Sequence, residues 1–187
     1  MSEAIRSYQA AKLCCSGYSD IQYHEWNGEP FRFDLDNSSP TFNFSLGKSY
    51  FKAFHVPENA KGELIRVKSL FAGSATIWGS IMAPTAISFL DQSYNIIETR
   101  SLPPAFHHMG VFSDSHGGGV TFTKIPTDID YMIVHTDPGM FGKTFDFNKT
   151  GAANIVAGIY IAESTYQFSV PFSPRGRIFI RIEEKDE

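Results

Sequence analysis

The sequence predicts an all-β fold, a two-layer antiparallel β-sandwich of jelly-roll-like type carrying one or two short helices. Three observations predict it. Short runs alternate apolar and polar residues at the two-residue period of a strand, as where Ile65, Val67 and Phe71 alternate with Arg66 and Lys68. Those runs are separated by chain-reversing residues, as in Pro57 to Gly62 and Asp91 to Asn95. Aromatics make up 14% of a chain that is also rich in glycine and proline, which favours many short strands over a helical bundle. A chain of 187 residues fits one domain with enough interior to stand without metal or disulfide support. Residues 1–46 are expected to supply a helix and edge strands, and residues 47–187 the sandwich core.

From Ser2 to Cys15, the positions Ile5, Tyr8 and Ala11 recur at a spacing of three behind an N-cap serine, which predicts a short helix stopped by Gly17. In FRFDLD, Phe31, Phe33 and Leu35 share a face opposite Arg32, Asp34 and Asp36, and Asn37 to Pro40 turns the chain into TFNFSL. The two runs make either a hairpin at a sheet edge or a bent strand crossing between sheets. Ser49 to Arg100 holds SYFKAFHVP, ELIRVKSLFA and AISFLDQSYNIIETR, and is expected to build half the core with one apolar and one wetter face per strand. Paired prolines and a triple glycine between Ser101 and Gly119 predict a long loop with one short aromatic strand, and loops of that length often carry function. Strands follow at VTFTKI, YMIVHT and IYIA, with a turn over Asp137 to Gly142. Asn148 to Val156, rich in small residues, predicts a helix of about two turns. At the end, YQFSVPF and RIFIRI flank SPRG and predict a hairpin, with Ile178, Ile180 and Ile182 on one face. The tail EEKDE is expected to be solvated.

The net charge of -4 and the scatter of sixteen basic residues give no footprint for nucleic acid or an anionic membrane surface. No apolar run is long enough to span a bilayer, and Met1 is followed by no apolar leader core. The chain is therefore expected either to stay in the cytoplasm or to have lost a secretory leader. Neighbouring cysteines bridge only through a strained ring, so Cys14 and Cys15 are expected to be buried or half-buried free thiols. No second cysteine pair or spaced histidine pair completes a tetrahedral metal site with them.

Gly47-Lys48-Ser49 and Gly142-Lys143-Thr144 imitate the end of a phosphate loop, but Phe42 and Asp137 stand where that loop needs its first glycine. No G-x-S-x-G elbow occurs, and no serine pairs with a histidine and an acid at a recognisable spacing. The pairs Asp34/Asp36 and Asp128/Asp130 read as solvated strand faces and turns rather than a glycosidase dyad. His107 and His116, with Asp114, are the one cluster suited to a metal; the adjacent His107 and His108 point to opposite sides of an extended segment, so one of them at most joins His116. No cofactor is expected. His135 is expected to sit half-buried on a strand with its hydrogen bonds satisfied. Trp26, Trp78, Tyr94, Phe106 and Phe112 lie in or beside turns, where an aromatic ring can stack on a sugar face or anchor a protein partner. The competing expectation is that they close the open ends of the sandwich.

The series SYFKAFHVP, GELIRVKSL, MAPTAISFLDQSYNII, YMIVHT and GRIFIRI resembles, in order and spacing, the maltose operon periplasmic protein (MalM) family. Pro84 to Asp91 and the closing strand from Gly176 carry most of the likeness, which covers about Gly47 to Glu183. The resemblance implies a periplasmic or envelope-associated β-sandwich, linked in its best-known member to maltose and maltodextrin uptake, with no catalytic residues to carry over. The expected function is accordingly non-enzymatic binding of an envelope protein partner or an oligosaccharide. Two other expectations are a structural subunit of an envelope assembly, accepting an added strand at an edge such as TFNFSL, and a metal-dependent carbohydrate-active hydrolase using the His107 to His116 loop.

Overall fold

The computed structural model describes residues 2–72, 81–108, 117–150, 155–156, 159–160 and 165–183. A helix, α1 (Ser2–Ala10), precedes β1 (His24–Glu25), β2 (Phe31–Leu35), β3 (Thr41–Phe44) and β4 (Gly47–His55). The middle of the chain forms β5 (Leu64–Leu70), β6 (Thr85–Leu90), β7 (Ile96–Leu102), β8 (Phe106–His108), β9 (Gly118–Lys124) and β10 (Tyr131–Thr136). Last come β11 (Thr144–Thr150), β12 (Ile155–Val156), β13 (Ile159–Tyr160), β14 (Thr165–Pro171) and β15 (Gly176–Ile182).

Two sheets face each other, as expected of a sandwich. The front sheet runs β1-β4-β10-β6-β7, with β3 also on β4; the back sheet runs β2-β15-β5-β9-β8. Only β1, on β4, pairs in parallel among these named strands. Between the layers, Ile65, Val67, Ile178, Ile180, Phe33 and Leu35 of the back sheet meet Tyr50, Phe54, Ile87, Phe89, Met132 and Val134 of the front one. Each such side chain contributes roughly 1.5–3 kcal/mol by leaving water.

Sheet membership departs from sequence order in several places. FRFDL and TFNF do not form a hairpin: β2 pairs with β15 at the edge of the back sheet, and β3 with β4 in the front one, so the chain crosses between layers at Asp36 to Pro40. The expected YQFSVPF and RIFIRI hairpin is also overturned. β14 pairs with β11, whereas β15 pairs with β2 and β5. Asp91 to Asn95 does make the expected hairpin, β6 with β7. Instead of a helix over Asn148 to Val156, the described residues there are extended, in β11 up to Thr150 and in β12.

The wetter face of β5 is covered too. Arg66 is 7% exposed and Lys68 0%, so alternation here separates two interiors rather than an interior from water. The triple glycine runs into β9 rather than a loop. A Cβ on Gly118 would lie 2.3 Å from the Ser69 carbonyl oxygen and one on Gly119 2.5 Å from Pro104 Cβ, so only glycine lets this strand approach its neighbours.

The amino-terminal segment covers the outer face of the front sheet. Cys15, Tyr18 and Tyr23 pack with Ile21 on Phe42, Phe44, Phe51, Leu90, Tyr131 and Ile133 as a second apolar cluster. Helix α1 is tied down at its C-terminal end by Lys48, whose Nζ donates to the Gln9 carbonyl at 2.9 Å and to the Ala11 carbonyl. A cation there satisfies orphan carbonyls and suits the negative end of the helix dipole. A third cluster joins Phe145, Phe147, Phe168 and Val170 of the β11–β14 ribbon to Met82 and Phe172. No helix among the described residues is long and apolar enough to cross a membrane.

Candidate functional site

The front sheet leaves a gap along the free side of β4. β3 pairs with it from Gly47 to Tyr50 and β1 pairs with it at Phe54 and His55, which leaves Phe51 to Ala53 without a strand neighbour on that side among the described residues. The Phe51 N–H is given to the Pro40 carbonyl at 3.1 Å. Above this gap lies a cleft of two adjoining hollows. One, of about 340 Å³, is lined by Cys14, Cys15, Asp20, Gln22, His24, Pro40 and Phe51. The other, of about 210 Å³, shares Gln22, His24, Pro40 and Phe51 and extends to Asp34, Ser38, Ser39 and Lys52. Alternation along the approach to β1 builds it, because Gln22 and His24 line the cleft while Ile21 and Tyr23 turn into the second apolar cluster.

Cys14 and Cys15 are bonded to one another, which corrects the expectation of free thiols. The Cys14 N–H donates to the Thr41 carbonyl at 2.9 Å, docking the pair beside β3. The Asp20 carboxylate accepts from the Ser16 and Gly17 N–H groups, each at 3.0 Å.

Tyr23 connects the cleft to an aromatic group on the same outer face. Its ring centroid is 4.4 Å from that of Tyr131, and Tyr94 stacks on Tyr131 at 4.7 Å and 16°. His55 lies 4.9 Å from Tyr131, and its Nε2 is 3.7 Å from Glu25 Oε1. Tyr94 reaches this position through a backbone φ of +63°, the left-handed region that residues other than glycine rarely occupy. Asp91 holds it there by accepting from the N–H groups of Ser93 at 2.8 Å and Asn95 at 2.9 Å. These hydrogen bonds also hold the Asp91 carboxyl below its usual range, the Asn95 side-chain amide contributing most. The Tyr131 phenol is pushed up to about 12 by its hydrogen bond to Tyr94 and by burial. Burial, followed by the neighbouring phenols, pushes Tyr23 higher still.

The aromatics singled out from the sequence divide accordingly. Tyr94 is half-buried with its ring in this group. Trp26 is 5% exposed and belongs to the main core, where its indole N–H donates to the Glu29 carbonyl at 2.8 Å, so it closes the sandwich and offers no face to a ligand. Trp78, Phe112, Asp114 and His116 lie outside the described residues, as do the side chains of Phe106 and His107, whose backbone forms β8. Among the described residues no three His, Cys, Asp or Glu side chains gather as metal ligands. Sequence reasoning missed Tyr23, His55 and Tyr131, which sit at ordinary strand spacing, and the cleft, which needs the β3–β4–β1 pairing to exist.

Other motifs resolve into structural roles. Lys48 of the first phosphate-loop look-alike caps α1. Asp34 takes a bidentate contact from Arg177 at 2.7 and 3.1 Å, and Asp130 lies 3.3 Å from Lys61. The structure does bring a serine to a histidine, Ser88 Oγ lying 3.0 Å from His135 Nε2, but both residues are 0% exposed. His135 is thus fully rather than half buried, and its ring stacks on Phe44 at 4.2 Å. A reactant would have no route to that pair.

The chain matches no family model, no curated protein and no solved structure. The fold and the site geometry therefore stand on this molecule alone.

Proposed function

We infer that this is a non-enzymatic binding protein of the cell envelope, of the maltose operon periplasmic protein type, and that its ligand is an oligosaccharide. The observation that carries this reading is Tyr94, a bulky residue held at positive φ so that its ring lies on Tyr131 beside Tyr23 and His55. Backbone strain of this kind costs of order 1–3 kcal/mol and concentrates at ligand clamps and active sites. Tyr131 is buried beneath the group, so the half-buried Tyr23 and Tyr94 supply the rings and phenol hydroxyls that suit a sugar's apolar faces and hydroxyl edges, and the adjoining cleft adds Gln22, Asp34, Ser38 and Lys52 as hydrogen-bonding groups. The bonded Cys14 and Cys15 support an oxidising compartment such as the periplasm.

The test is calorimetric titration of the purified chain with a series of maltodextrins, beside the Tyr94→Ala variant. Saturable binding that weakens at least tenfold in the variant is expected. Absence of binding across the series, or equal binding by both proteins, would overturn the reading. The hydrolase alternative rests on His107, Asp114 and His116; a stoichiometric transition metal lost on His116→Ala would favour it over binding alone.

A further inference from the structure

The role of the Cys14–Cys15 disulfide follows first from what it does not do. A cross-link stabilises a fold chiefly by closing a loop in the unfolded chain, and does so more as that loop lengthens. Here the sequence separation is 1, so the bond encloses no intervening residue and removes little freedom from the unfolded chain. The segment is fastened by other means. Leu13 bridges to Thr41, the Cys14 N–H donates to the Thr41 carbonyl at 2.9 Å, and Thr41 Oγ1 donates to the Lys12 carbonyl at 2.6 Å. On the other flank, the Ser16 and Gly17 N–H groups hold Asp20. What the bond does fix is one wall of the cleft, where Cys14 is exposed and Cys15 is half-buried against the second apolar cluster. Exposed disulfides of this kind are the ones open to exchange, whereas structural disulfides resist it.

We propose that Cys14 and Cys15 form a reversible two-electron exchange site for a dithiol reductant, and that opening the bond reshapes the cleft. A thiolate of the reductant attacks the Sγ of Cys14, the exposed residue of the pair; a bond forms there as the Cys14–Cys15 bond breaks, and the electron pair leaves on Cys15 Sγ, which takes up a proton. The second thiol of the reductant, deprotonated, attacks the reductant's own sulfur in the mixed disulfide. Cys14 Sγ then departs as a thiolate and takes up the second proton. Two electrons and two protons have passed to the cysteine pair, and the dithiol leaves as a disulfide, whose attack by the reduced pair is the reverse reaction. Once open, the ring no longer constrains the Cys14–Cys15 peptide, and the wall facing Gln22 and His24 rearranges.

The test uses the full chain in native buffer with graded mixtures of reduced and oxidised dithiothreitol. Alkylation followed by intact mass counts the thiols, amide NMR spectra report the cleft, and urea unfolding reports the fold. Expected are the mass of two alkyl labels without denaturant, the unlabelled mass for a sample reoxidised before alkylation, and an almost unchanged unfolding midpoint. Amide shifts should be confined to Leu13 to His24, Thr41 and Phe51 to Ala53, and the double variant Cys14→Ser, Cys15→Ser should reproduce them. The proposal is overturned if thiols appear only when urea unfolds the chain, if reduction itself unfolds it, or if the cleft amides stay in place. None of these readouts needs a sugar, so failure of the oligosaccharide titration and failure of the exchange experiment are told apart.

Discussion

Acidification should destabilise this protein through one buried ring. His135 Nδ1 lies 3.1 Å from the Thr136 carbonyl, which can only accept, so Nδ1 carries the proton and Nε2 accepts from the Ser88 hydroxyl at 3.0 Å. Ser88 in turn lies 2.9 Å from Thr99 Oγ1. Protonation would place a charge in this sealed site and reverse the donor order of the chain. Burial lowers the His135 pKa from 6.5 to about 4, against the smaller opposing effects of the Thr136 carbonyl and Asp137. The unfolded chain then binds a proton that the folded one refuses. Stability is whole above pH 6.5 and falls as the pH drops toward 4. The full gap corresponds to roughly 3 kcal/mol, of which about 2 kcal/mol is lost between pH 7 and pH 5. Urea unfolding of the wild type and of His135→Gln at these two pH values measures it. The variant starts less stable, having lost the stack on Phe44, but its loss between the two pH values should be smaller by about 2 kcal/mol. Equal losses in the two proteins would refute the assignment, as would an NMR titration placing the His135 midpoint near 6.5.

Three other perturbations test the packing. Gly118→Ala should destabilise by about 1–3 kcal/mol in urea unfolding, because the new methyl meets the Ser69 carbonyl on a neighbouring strand and neither backbone can yield cheaply. Lys48→Met should cost about 1 kcal/mol and speed amide exchange in the last turn of α1, since it removes the donor to the Gln9 and Ala11 carbonyls. Tyr94→Gly should change stability by less than about 1 kcal/mol, relief of the left-handed backbone offsetting loss of the ring stack. The same variant should bring the Tyr131 phenol down from about 12 toward 10.0, read by ultraviolet titration of phenolate.

The strands were legible because their pattern is local. Ile178 and Ile180 alternate in sequence and both are fully buried, and Asp91 to Asn95 announces its hairpin through residues that reverse a chain wherever they occur. Partner choice was not legible. SPRG signals a turn, but nothing in those four residues says that β15 inserts between β2 and β5 while β14 joins β11. Arg66 and Lys68 mark a polar face without saying whether anything lies over it. The glycines at 117–119 read as a loop because close approach of two backbones leaves the same signature as flexibility. Of the candidate site, Tyr94 could be picked out because it stands in a turn. The cleft could not, since it is made by two strands failing to meet along a third, and the cysteine pair was misjudged by a rule that weighs ring strain alone.

That interruption along β4 also bears on solubility. A bare strand margin invites copies of the same protein to stack edge to edge, yet here the vacant length is three residues, stopped at either end by β3 and β1. At about 3.3 Å per residue, such an aperture spans roughly 10 Å. Three residues are too few to seed a growing fibre, so any edge-to-edge stacking would have to use the outer margins of β2, β7 or β8 instead.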